Sequence, residues 1–464
     1  MQFFDSAKKQ KLSFDKASAN IYLCGPTVYD HAHLGHGRSS VCFDLLRRTL
    51  LASGLSVKFA RNYTDIDDKI LKKMSQTGQS LEEITNFYIH AYEKDMRALN
   101  VLEPSFKPKA THFIKEMISL IETLQNKGFT YTLEDGIYLD TSKDKTYFSL
   151  SHRNADETRS RLEKEVAKKN ESDFVLWKFD DDFYDAPFGK GRPGWHTECV
   201  VMIEALFKKE LDFHCGGIDL LFPHHENEAC QCRCAWNKSL AQIWLHNGFV
   251  KIDGEKMSKS LNNSFFIKDI LKDFQAEVLR LYLLSSHYRA HFDFDIKDLK
   301  SCKKRLDKLY RLKQRLDLAE FSDFESEILK GEKSLKFQSA LALNLLKALN
   351  DDLNISLALS FLDEFIQEAN LSLDTKKGDK NELESSLKEA ALILGVGFLN
   401  ANEYFKFGVD EVLKKEIEEK IALRNKAKKA KNYALADEIR NTLLAKNIIL
   451  KDTIKGVLWE KNNE

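Results

Sequence analysis

The chain of 464 residues lacks any long apolar run and any excess of charge of one sign. Its start, MQFFDSAKKQKLSFDK, lacks the apolar core of a secretory signal, and no stretch approaches the roughly 18 to 20 apolar residues that a membrane-spanning helix needs. Basic and acidic side chains number 71 each, which neither supports nor excludes a nucleic acid partner, since a polyanion would have to bind a local cluster. We therefore expect a cytoplasmic protein that does not enter a membrane.

Cysteine is also scarce, with eight residues spread over a long chain that contains only six prolines. This distribution argues for reduced thiols and against a disulfide framework, and it leaves open that some thiols bind a metal. A chain of this length with 43% hydrophobic residues can bury two or three cores, because a single core rarely grows much beyond about 250 to 300 residues. We expect at least three domains.

The pattern near the N-terminus predicts an α/β fold. IYLCG has the character of a short buried strand, SSVCFDLLRRTLLAS that of a helix and SVKFARNYT that of a second strand, which together make a βαβ unit. We therefore predict a Rossmann-type catalytic domain with a parallel sheet over residues 1–265. GIYLD (136–140) and KTYFSL (145–150) are predicted strands of a module inserted at about 111–190.

The rest of the chain changes in composition. Residues 266–400 contain almost no glycine or proline and show heptad-like apolar spacing, which predicts a helical junction over 266–320 and a helical bundle over 321–405. Residues 411–464 form a lysine-rich helical segment followed by strand-like KNIILKD, which predicts a small α+β domain. Between positions 421 and 455 there are nine Lys or Arg against three Asp or Glu, so a polyanion could dock there.

Two motifs in this order point to nucleotide chemistry. In HLGH, Gly35 lets a nucleotide approach the backbone, while a helix N-terminus with His33 and His36 faces phosphate charge. Much later in the chain, KMSKS places Lys256 and Lys259 where two ammonium groups neutralise a triphosphate and its leaving pyrophosphate. Taken singly, HLGH could be surface histidines in a loop and KMSKS a solvated basic loop. The ordered pair is far more specific.

This pair resembles the HIGH and KMSKS motifs of class I aminoacyl-tRNA synthetases, with Leu34 in place of the usual Ile. A finer resemblance is to the cysteinyl-tRNA synthetases, and it extends over nearly the whole chain through CGPTVYDHAHLGHGR, NYTDIDDKI, DFVLWK, GRPGWHTEC, FPHHENE and KMSKSLNN. It implies ATP with Mg²⁺ as substrate, a cysteinyl-adenylate, transfer of L-cysteine to the tRNA with the cysteine anticodon, and a monomer. The catalytic residues that it implies are His33, His36, Lys256 and Lys259, with ATP bound by His33, Gly35, His36 and Lys259.

The resemblance also implies one Zn²⁺ per chain on Cys24, Cys199, His224 and Glu228. Two sulfurs, one nitrogen and one oxygen suit tetrahedral zinc, although spacing alone does not join Cys24 to Cys199. A soft metal that binds the substrate thiolate would reject serine. A helix-start ion pair remains the alternative for the His224 and Glu228 pair.

A second group of thiols offers a rival metal site at Cys230, Cys232 and Cys234. Their spacing favours a strand or a tight loop over a helix, no further cysteine pair follows, and buried free thiols are common. We favour structural thiols there.

Around the bound cysteine, the resemblance implies Thr64, Trp195 and His214 as substrate-binding residues. Each also has a purely structural alternative: Thr64 as a cap at a strand end, Trp195 as a core residue, and His214 as a buried histidine with its hydrogen bonds made. Two positions depart from the family pattern: Tyr63 replaces a usual Ile or Val, and Cys215 replaces a common Gly. Cys215 would either crowd the pocket or place another thiol near the metal, and we do not count it as a ligand.

At the C-terminus, KKAKNYALADEIRNTLLAKNIILKD resembles the family's anticodon-binding domain, and LNDDLNISLAL resembles its helical bundle. Lys428 stands where Arg is common, so a two-pronged donor is replaced by a point charge. Asp437 and Asp452 match acidic positions that read anticodon bases. A solubilising helical tail is the alternative for this segment. For the whole chain, the rivals are a paralogous ligase that joins cysteine to an amino sugar and a non-catalytic RNA-binding protein.

Overall fold

The computed structural model describes residues 1–153, 168–252, 254–256, 265–321, 337–453 and 456–462. Its strands are β1 Gln2–Asp5, β2 Gln10–Ser13, β3 Ser18–Leu23, β4 Ser56–Arg61, β5 Thr130–Leu133, β6 Gly136–Leu139, β7 Phe174–Tyr184, β8 Gly191–Pro193, β9 Leu211–Gly217, β10 Ala241–Asn247, β11 Val250–Ile252, β12 Glu255–Lys256, β13 Phe292–Asp293, β14 Ile448–Thr453 and β15 Gly456–Lys461.

The helices of the first two thirds of the chain are α1 Leu34–Ala52, α2 Asp68–Thr77, α3 Leu81–Ala98, α4 Ile114–Asn126, α5 Thr197–Phe207, α6 Glu226–Trp236, α7 Ile267–Ile270, α8 Ala276–Leu284 and α9 Ile296–Leu316. The later helices are α10 Ala340–Leu349, α11 Ile355–Asp374, α12 Lys380–Leu394, α13 Ala401–Tyr404, α14 Glu411–Lys429 and α15 Tyr433–Leu444.

A four-stranded parallel sheet in the order β10-β9-β3-β4 forms the centre of the N-terminal part. The β3–α1–β4 unit runs toward one edge of this sheet, and the β9–α6–β10 unit runs toward the other. All four strands are parallel, but the side on which the chain adds its next strand changes between the β3 unit and the β9 unit. In open parallel sheets, ligands bind outside the carboxyl ends of the strands at such a switch point. The predicted βαβ unit and Rossmann-type sheet are confirmed.

Helix α1 joins the sheet to the helices that follow it. Its buried carboxylate Asp44 contacts Arg48 at 2.7 Å and Arg280 of α8 at 2.5 Å. Both guanidinium groups also donate to backbone carbonyls at the end of α12, Arg48 to Leu392 and Arg280 to Leu394. Because both partners are buried and paired with each other and with carbonyls, this ion cluster holds the bundle at a defined place on α1.

The inserted module lies between β4 and β9 in the chain. It contains the antiparallel sheet β5-β6-β7-β8, which packs with α4, α5 and α6 around a second apolar core that includes Leu120 and Trp177. The predicted strand at 136–140 is confirmed by β6, but the predicted strand at 145–150 is wrong, because those residues form turns. Asp144 accepts hydrogen bonds from Thr146 and from Arg233 of α6, which ties this turn to a helix instead of to a strand.

The C-terminal part has a small core of its own. Helices α14 and α15 pack on the antiparallel pair β14 and β15 around Ile417, Leu443, Ile448, Leu450 and Trp459. The predicted fold class, an α/β domain with an insertion followed by helices and a small α+β unit, is confirmed. Domain limits at 265, 320, 405 and 411 stay predictions. Every helix in the described part of the chain is too short or too polar to span a bilayer.

Candidate active site and metal centre

A cleft of about 470 Å³ opens at the carboxyl ends of the parallel strands. Cys24, which follows β3, and Trp195 line this cleft together with His33, Gly35 and His36 at the start of α1. The ends of β9 and β10 contribute Gly217 and Asn247. This is the position that the strand order predicts for a ligand site.

The turn after β3 depends on a glycine. A Cβ on Gly25 would lie 1.7 Å from the backbone oxygen of Asn62, so a side chain cannot fit there without moving the backbone. The amide of Gly25 donates to Oδ1 of Asn62 at 2.8 Å, and the amide of Cys24 donates to the carbonyl of Cys215 at 3.1 Å. These contacts fix where the Cys24 thiol lies.

His33 and His36 form a reciprocal cap at the N-terminus of α1. Nδ1 of His33 accepts from the amides of Gly35 and His36 at 3.1 and 3.4 Å, and Nδ1 of His36 accepts from the amide of His33 at 3.3 Å. The two rings stack with centroids 3.8 Å apart. Because each Nδ1 accepts, the neutral rings carry their hydrogen on Nε2, as donors beside a helix N-terminus.

The segment that follows KMSKS is attached to HLGH. The amide of Leu34 donates to the carbonyl of Phe265 at 3.1 Å, and the amide of Ile267 donates to the carbonyl of Ala32 at 3.0 Å. On the other side of the motif, the backbone of Lys256 pairs with Lys251 in β11. The side chain of Lys256 and the whole of Lys259 lie outside the residues that the structure describes.

Cys24, which lines the cleft, converges with the buried residues Cys199, His224 and Glu228, and the ligand atoms of all four lie within 4.8 Å of one another. The two sulfurs are 3.8 Å apart, Sγ of Cys199 is 3.7 Å from Nε2 of His224, and that nitrogen is 2.7 Å from Oε1 of Glu228. Cys199 lies in the first turn of α5, Glu228 in the first turn of α6, and His224 in the π-helical turn Leu221–His225 just before α6.

This donor set fits a zinc ion. Bonds of about 2.3 Å at tetrahedral angles put two sulfurs roughly 3.8 Å apart, which is the separation between Cys24 and Cys199. The His224 and Glu228 atoms are at hydrogen-bond distance and would separate slightly around an ion. Two thiolates, one imidazole and one carboxylate are ligands that zinc accepts together.

Comparisons with known proteins show which family this chain belongs to. The family model of the class I (C) tRNA synthetase catalytic domain matches residues 10–304, and that of the DALR domain matches residues 345–399. A cysteine–tRNA ligase of Campylobacter lari is 64% identical over 468 residues, which is 100% of both chains. The chain belongs to the cysteine–tRNA ligase family. A cysteine–tRNA ligase of Campylobacter fetus is 54% identical, covering 99% of this chain and 100% of that protein.

Solved structures of other class I synthetases share the fold with this family member. Methionyl-tRNA synthetase of Mycobacterium tuberculosis, in complex with methionyl-adenylate, matches with a TM-score of 0.57 and 13% identity over 82% of this chain and 89% of that chain. A ternary complex of Agrobacterium radiobacter LeuRS with tRNA and LeuAMS matches with a TM-score of 0.60 and 12% identity, over 84% and 85% of the two chains. At this identity the likeness concerns the fold alone.

In this cysteine–tRNA ligase family member, the four metal-ligand candidates shift one another's pKa values. Burial by itself raises the pKa of Glu228, but His224 and His214 hold it well below its usual range. Burial lowers the pKa of His224, but Glu228 and Cys199 raise it to about 10. Burial together with Cys199 raises the pKa of Cys24 well above the value of a free thiol. A bound cation would supply the positive charge that stabilises both sulfurs as thiolates.

A second layer of histidines lies behind these ligands. Nε2 of His214 is 2.6 Å from Oε2 of Glu228, and Nε2 of His225 is 3.3 Å from Sγ of Cys24. Nδ1 of His225 contacts Nε2 of His246 at 2.8 Å. Cys24, His214, His225 and Glu228 form an overlapping group of possible ligands, but that group has one thiol where the first has two.

The three residues predicted to bind substrate differ in position. Trp195 is 40% exposed, lines the cleft and stacks on the His224 ring with centroids 4.5 Å apart, so the alternative of a core tryptophan is wrong. Thr64 is buried, and its hydroxyl donates to Oε2 of Glu198 at 2.8 Å. His214 is buried against Trp244 at 4.5 Å, with its Nδ1 lacking a partner among the described residues.

The remaining cysteines lie in apolar cores. Cys215 points to the opposite face of the sheet from His214 and packs in an apolar core with Ile21 and Leu245. It therefore neither crowds the cleft nor joins the metal site. The cysteines at 230, 232 and 234 are buried on α6, so the expectation of a strand or loop there is wrong. All eight cysteines are free thiols.

Among the cleft-lining residues that sequence reasoning missed are Asp219, Lys69 and Tyr29. Asp219 follows the glycine pair at the end of β9, and a Cβ on Gly217 would lie 2.4 Å from its Oδ1, so the small residue lets the carboxylate fold back. A carboxylate after a strand and two glycines was the signal that could have found it. Nothing comparable in the local sequence distinguishes Tyr29.

The three C-terminal residues predicted to contact the anticodon lie in the small α+β unit. Asp452 of β14 accepts from both terminal nitrogens of Arg424 at 2.8 and 2.9 Å and from Nζ of Lys428 at 2.8 Å. Hydrogen bonds from Arg424 and Lys428 lower the pKa of Asp452. Asp437 is exposed on α15. Arg424, which sequence reasoning missed, supplies the planar two-pronged donor that Lys428 lacks.

Proposed function

We propose that this protein uses ATP and magnesium to ligate L-cysteine to the tRNA that carries the cysteine anticodon, through a cysteinyl-adenylate. The convergence of four metal-ligand side chains, one of which lines the same cleft as the N-terminus of α1, supports this proposal most strongly. A place for a soft sulfur and a place for phosphate thus share one cavity of about 470 Å³. The membership of the cysteine–tRNA ligase family agrees with both places.

In the activation step, a carboxylate oxygen of cysteine attacks the α-phosphorus of ATP, and the bond from that phosphorus to the leaving pyrophosphate breaks. No side-chain nucleophile is needed. His33 and His36 present Nε2–H donors and Gly35 leaves room for the nucleotide at the positive end of α1. Lys256 and Lys259 of KMSKS would balance the charge that develops on the phosphates.

In the transfer step, a hydroxyl oxygen of the terminal ribose of tRNA attacks the carbonyl carbon of the adenylate. The bond from that carbon to the phosphate oxygen breaks, and AMP leaves with the proton of the hydroxyl. The chain's task here is to hold the adenylate and the end of the tRNA in one cavity, because fixing their positions removes most of the entropic cost of a bimolecular reaction. The small C-terminal unit with Lys428, Asp437 and Asp452 would select the tRNA by its anticodon. We propose that one chain carries out both steps as a monomer.

Cys24, Cys199, His224 and Glu228 would hold one zinc ion. When bound there, zinc supplies a soft Lewis acid that favours a thiolate over the harder and less acidic hydroxyl of serine. An ordinary pocket separates substrates of such similar shape by only roughly 10 to 200-fold. Trp195 would cover the substrate at the mouth of the cleft, while Thr64 and His214 would orient the protein groups beneath it through Glu198 and Glu228.

The test is a set of three measurements on the purified full chain. We expect pyrophosphate exchange that depends on cysteine and ATP, charging of a transcript with the cysteine anticodon, and close to one zinc per chain by elemental analysis. Serine should support neither reaction. Exchange without any dependence on cysteine, or full activity in a preparation free of metal, would contradict the proposal.

The amino-sugar ligase remains the second candidate, because it would share the activation step. The described C-terminal unit, with its own core and basic helix, favours tRNA. Charging of tRNA against coupling to glucosamine-type acceptors separates the two candidates directly. A protein that binds RNA without catalysis would show no pyrophosphate exchange.

A further inference from the structure

We propose that Phe87 is a stacking platform for an unpaired base of the tRNA acceptor end. This inference rests on the proposed function, because charging requires the terminal adenosine to enter the cleft. Phe87 lies on α3 and is 58% exposed, whereas its neighbours Ile84 and Ile89 are buried. The helix therefore has enough buried apolar residues to pack without it.

Phe87 is part of an aromatic cluster, which distinguishes it from a single exposed apolar residue. Its ring meets the ring of Tyr88 edge-on at 5.0 Å, and both rings meet His31 edge-on, at 6.0 and 5.4 Å. His31 contacts Phe266 in the same way at 6.1 Å. His31 precedes the HLGH motif by two positions, so the cluster adjoins the nucleotide end of the cleft.

Basic side chains connect this cluster to the cleft. Nζ of Lys73 lies 4.2 Å from the centre of the Tyr88 ring and donates to its hydroxyl at 2.6 Å and to the carbonyl of Tyr29 at 2.8 Å. Lys69 lies over the Tyr29 ring at 5.6 Å, and both of these residues line the cleft. An unbroken series of aromatic rings and ammonium groups thus runs from the cleft wall to Phe87.

Such a series suits a single strand of nucleic acid. Unpaired bases stack on aromatic faces while basic groups follow the phosphates, and stacking tolerates any base. If the terminal adenosine occupies the cleft, the nucleotides just before it must extend out of the cleft, and the exposed ring of Phe87 offers them a flat apolar face. Lys69 and Lys73 offer ammonium groups to phosphates, while Asp30 and Asp67 are the acidic groups that act on Tyr29.

The kinetic test compares Phe87→Ala with Phe87→Trp in the full-length chain. We expect Phe87→Ala to raise the KM for tRNA about tenfold and so to lower the ratio of charging to pyrophosphate exchange, and Phe87→Trp to restore that ratio. The matched control is Leu371→Ala, which truncates a 64% exposed apolar side chain on α11 and should keep the wild-type ratio. An unchanged ratio in Phe87→Ala would overturn the proposal.

A fluorescence test follows the stacking itself. Transcripts that carry pyrrolocytosine in place of either cytosine of the terminal CCA should lose emission on binding the wild-type protein, since stacking quenches this base. Quenching should be absent with Phe87→Ala and return with Phe87→Trp. Equal quenching in all variants would refute the role of Phe87. Light scattering tests the alternative that the ring contacts a second copy of the chain: a dimeric wild type and a monomeric Phe87→Ala would also refute the proposal. Failure of the wild type to charge tRNA would instead reject the proposed function.

Discussion

The backbone amide of Leu34 donates to the carbonyl of Phe265 at 3.1 Å, although the two residues are separated by most of the catalytic half of the chain. Leu34 begins α1 inside HLGH, and Phe265 is the first described residue after KMSKS. One backbone contact therefore attaches the chain just after KMSKS to the HLGH motif. It also gives the far side of KMSKS a fixed attachment beside the two histidine rings.

Replacing Cys199 by Ser should remove zinc and cysteine binding together. The hydroxyl is a harder and weaker ligand than the thiolate, so we expect metal affinity to fall by more than the roughly 10 to 100-fold that losing an outer partner costs. The measurements are zinc per chain and the KM for cysteine and for ATP. Cys302→Ser, which alters a thiol on α9, should keep all three at wild-type values. Equal losses for cysteine and ATP would contradict a substrate role for the metal.

Two replacements of His33 separate its capping from its chemistry. His33→Ala removes an N-cap that accepts two amides and should cost about 1 kcal/mol of stability. His33→Asn supplies another good cap and should regain most of that stability. Both should slow pyrophosphate exchange by roughly 100-fold or more, because neither restores the Nε2–H donor. The readouts are denaturant titration and exchange rate, and full exchange activity in His33→Asn would mean that capping was the whole role.

Replacing Lys428 by Ala should weaken tRNA recognition without slowing amino-acid activation. Lys428 contacts the predicted base-reading carboxylate of Asp452 at 2.8 Å. Losing it should lower the kcat/KM for tRNA charging by the equivalent of roughly 1 to 3 kcal/mol, the cost of one lost base contact. Lys428→Arg should charge at least as well as the wild type. Lys415→Ala removes the same charge from an exposed site early on α14 and serves as the control. Transcripts with an altered anticodon base complete the test. If the altered base lowers charging by Lys428→Ala as much as it lowers charging by the wild type, Lys428 does not read that base.

Asp95 should make the protein less stable at neutral pH. Its side chain is buried on α3, and Oδ2 has no hydrogen-bond partner among the described residues. Burial raises the pKa of Asp95 to about 6; Lys94 and Lys268 oppose this rise, and Asp269 adds to it. A raised carboxyl pKa means that ionisation costs more in the folded state. Stability is therefore lost as pH rises from about 4 to about 6.

Asp95→Asn should remove this penalty and stabilise the protein by roughly 2 kcal/mol at pH 7. Below about pH 4 the advantage should vanish, because the carboxyl is then protonated in both states. Melting curves over this pH range provide the measurement, and Glu134→Gln, at an exposed carboxylate, provides the control. A gain that stays constant with pH would contradict the assignment to ionisation.

Local pattern was sufficient for much of the fold and for part of the site. The alternation of buried strand and amphipathic helix around Cys24 predicts the βαβ unit, since those periods reflect which faces are buried. A glycine between two histidines after a strand predicts the start of a helix, and His33 does cap α1. The separate core around Trp459 agrees with the predicted C-terminal unit.

Only the tertiary structure decided which cysteines meet. Cys24 and Cys199 come within 3.8 Å because β3 lies next to β9 and α5 precedes β9, a pairing that depends on strand order and not on spacing. The same packing turns Cys215 away from the cleft and buries Cys230 on a helix. Sequence determined which ligand chemistry was present, because that is local, while long-range packing selected the atoms that share a site.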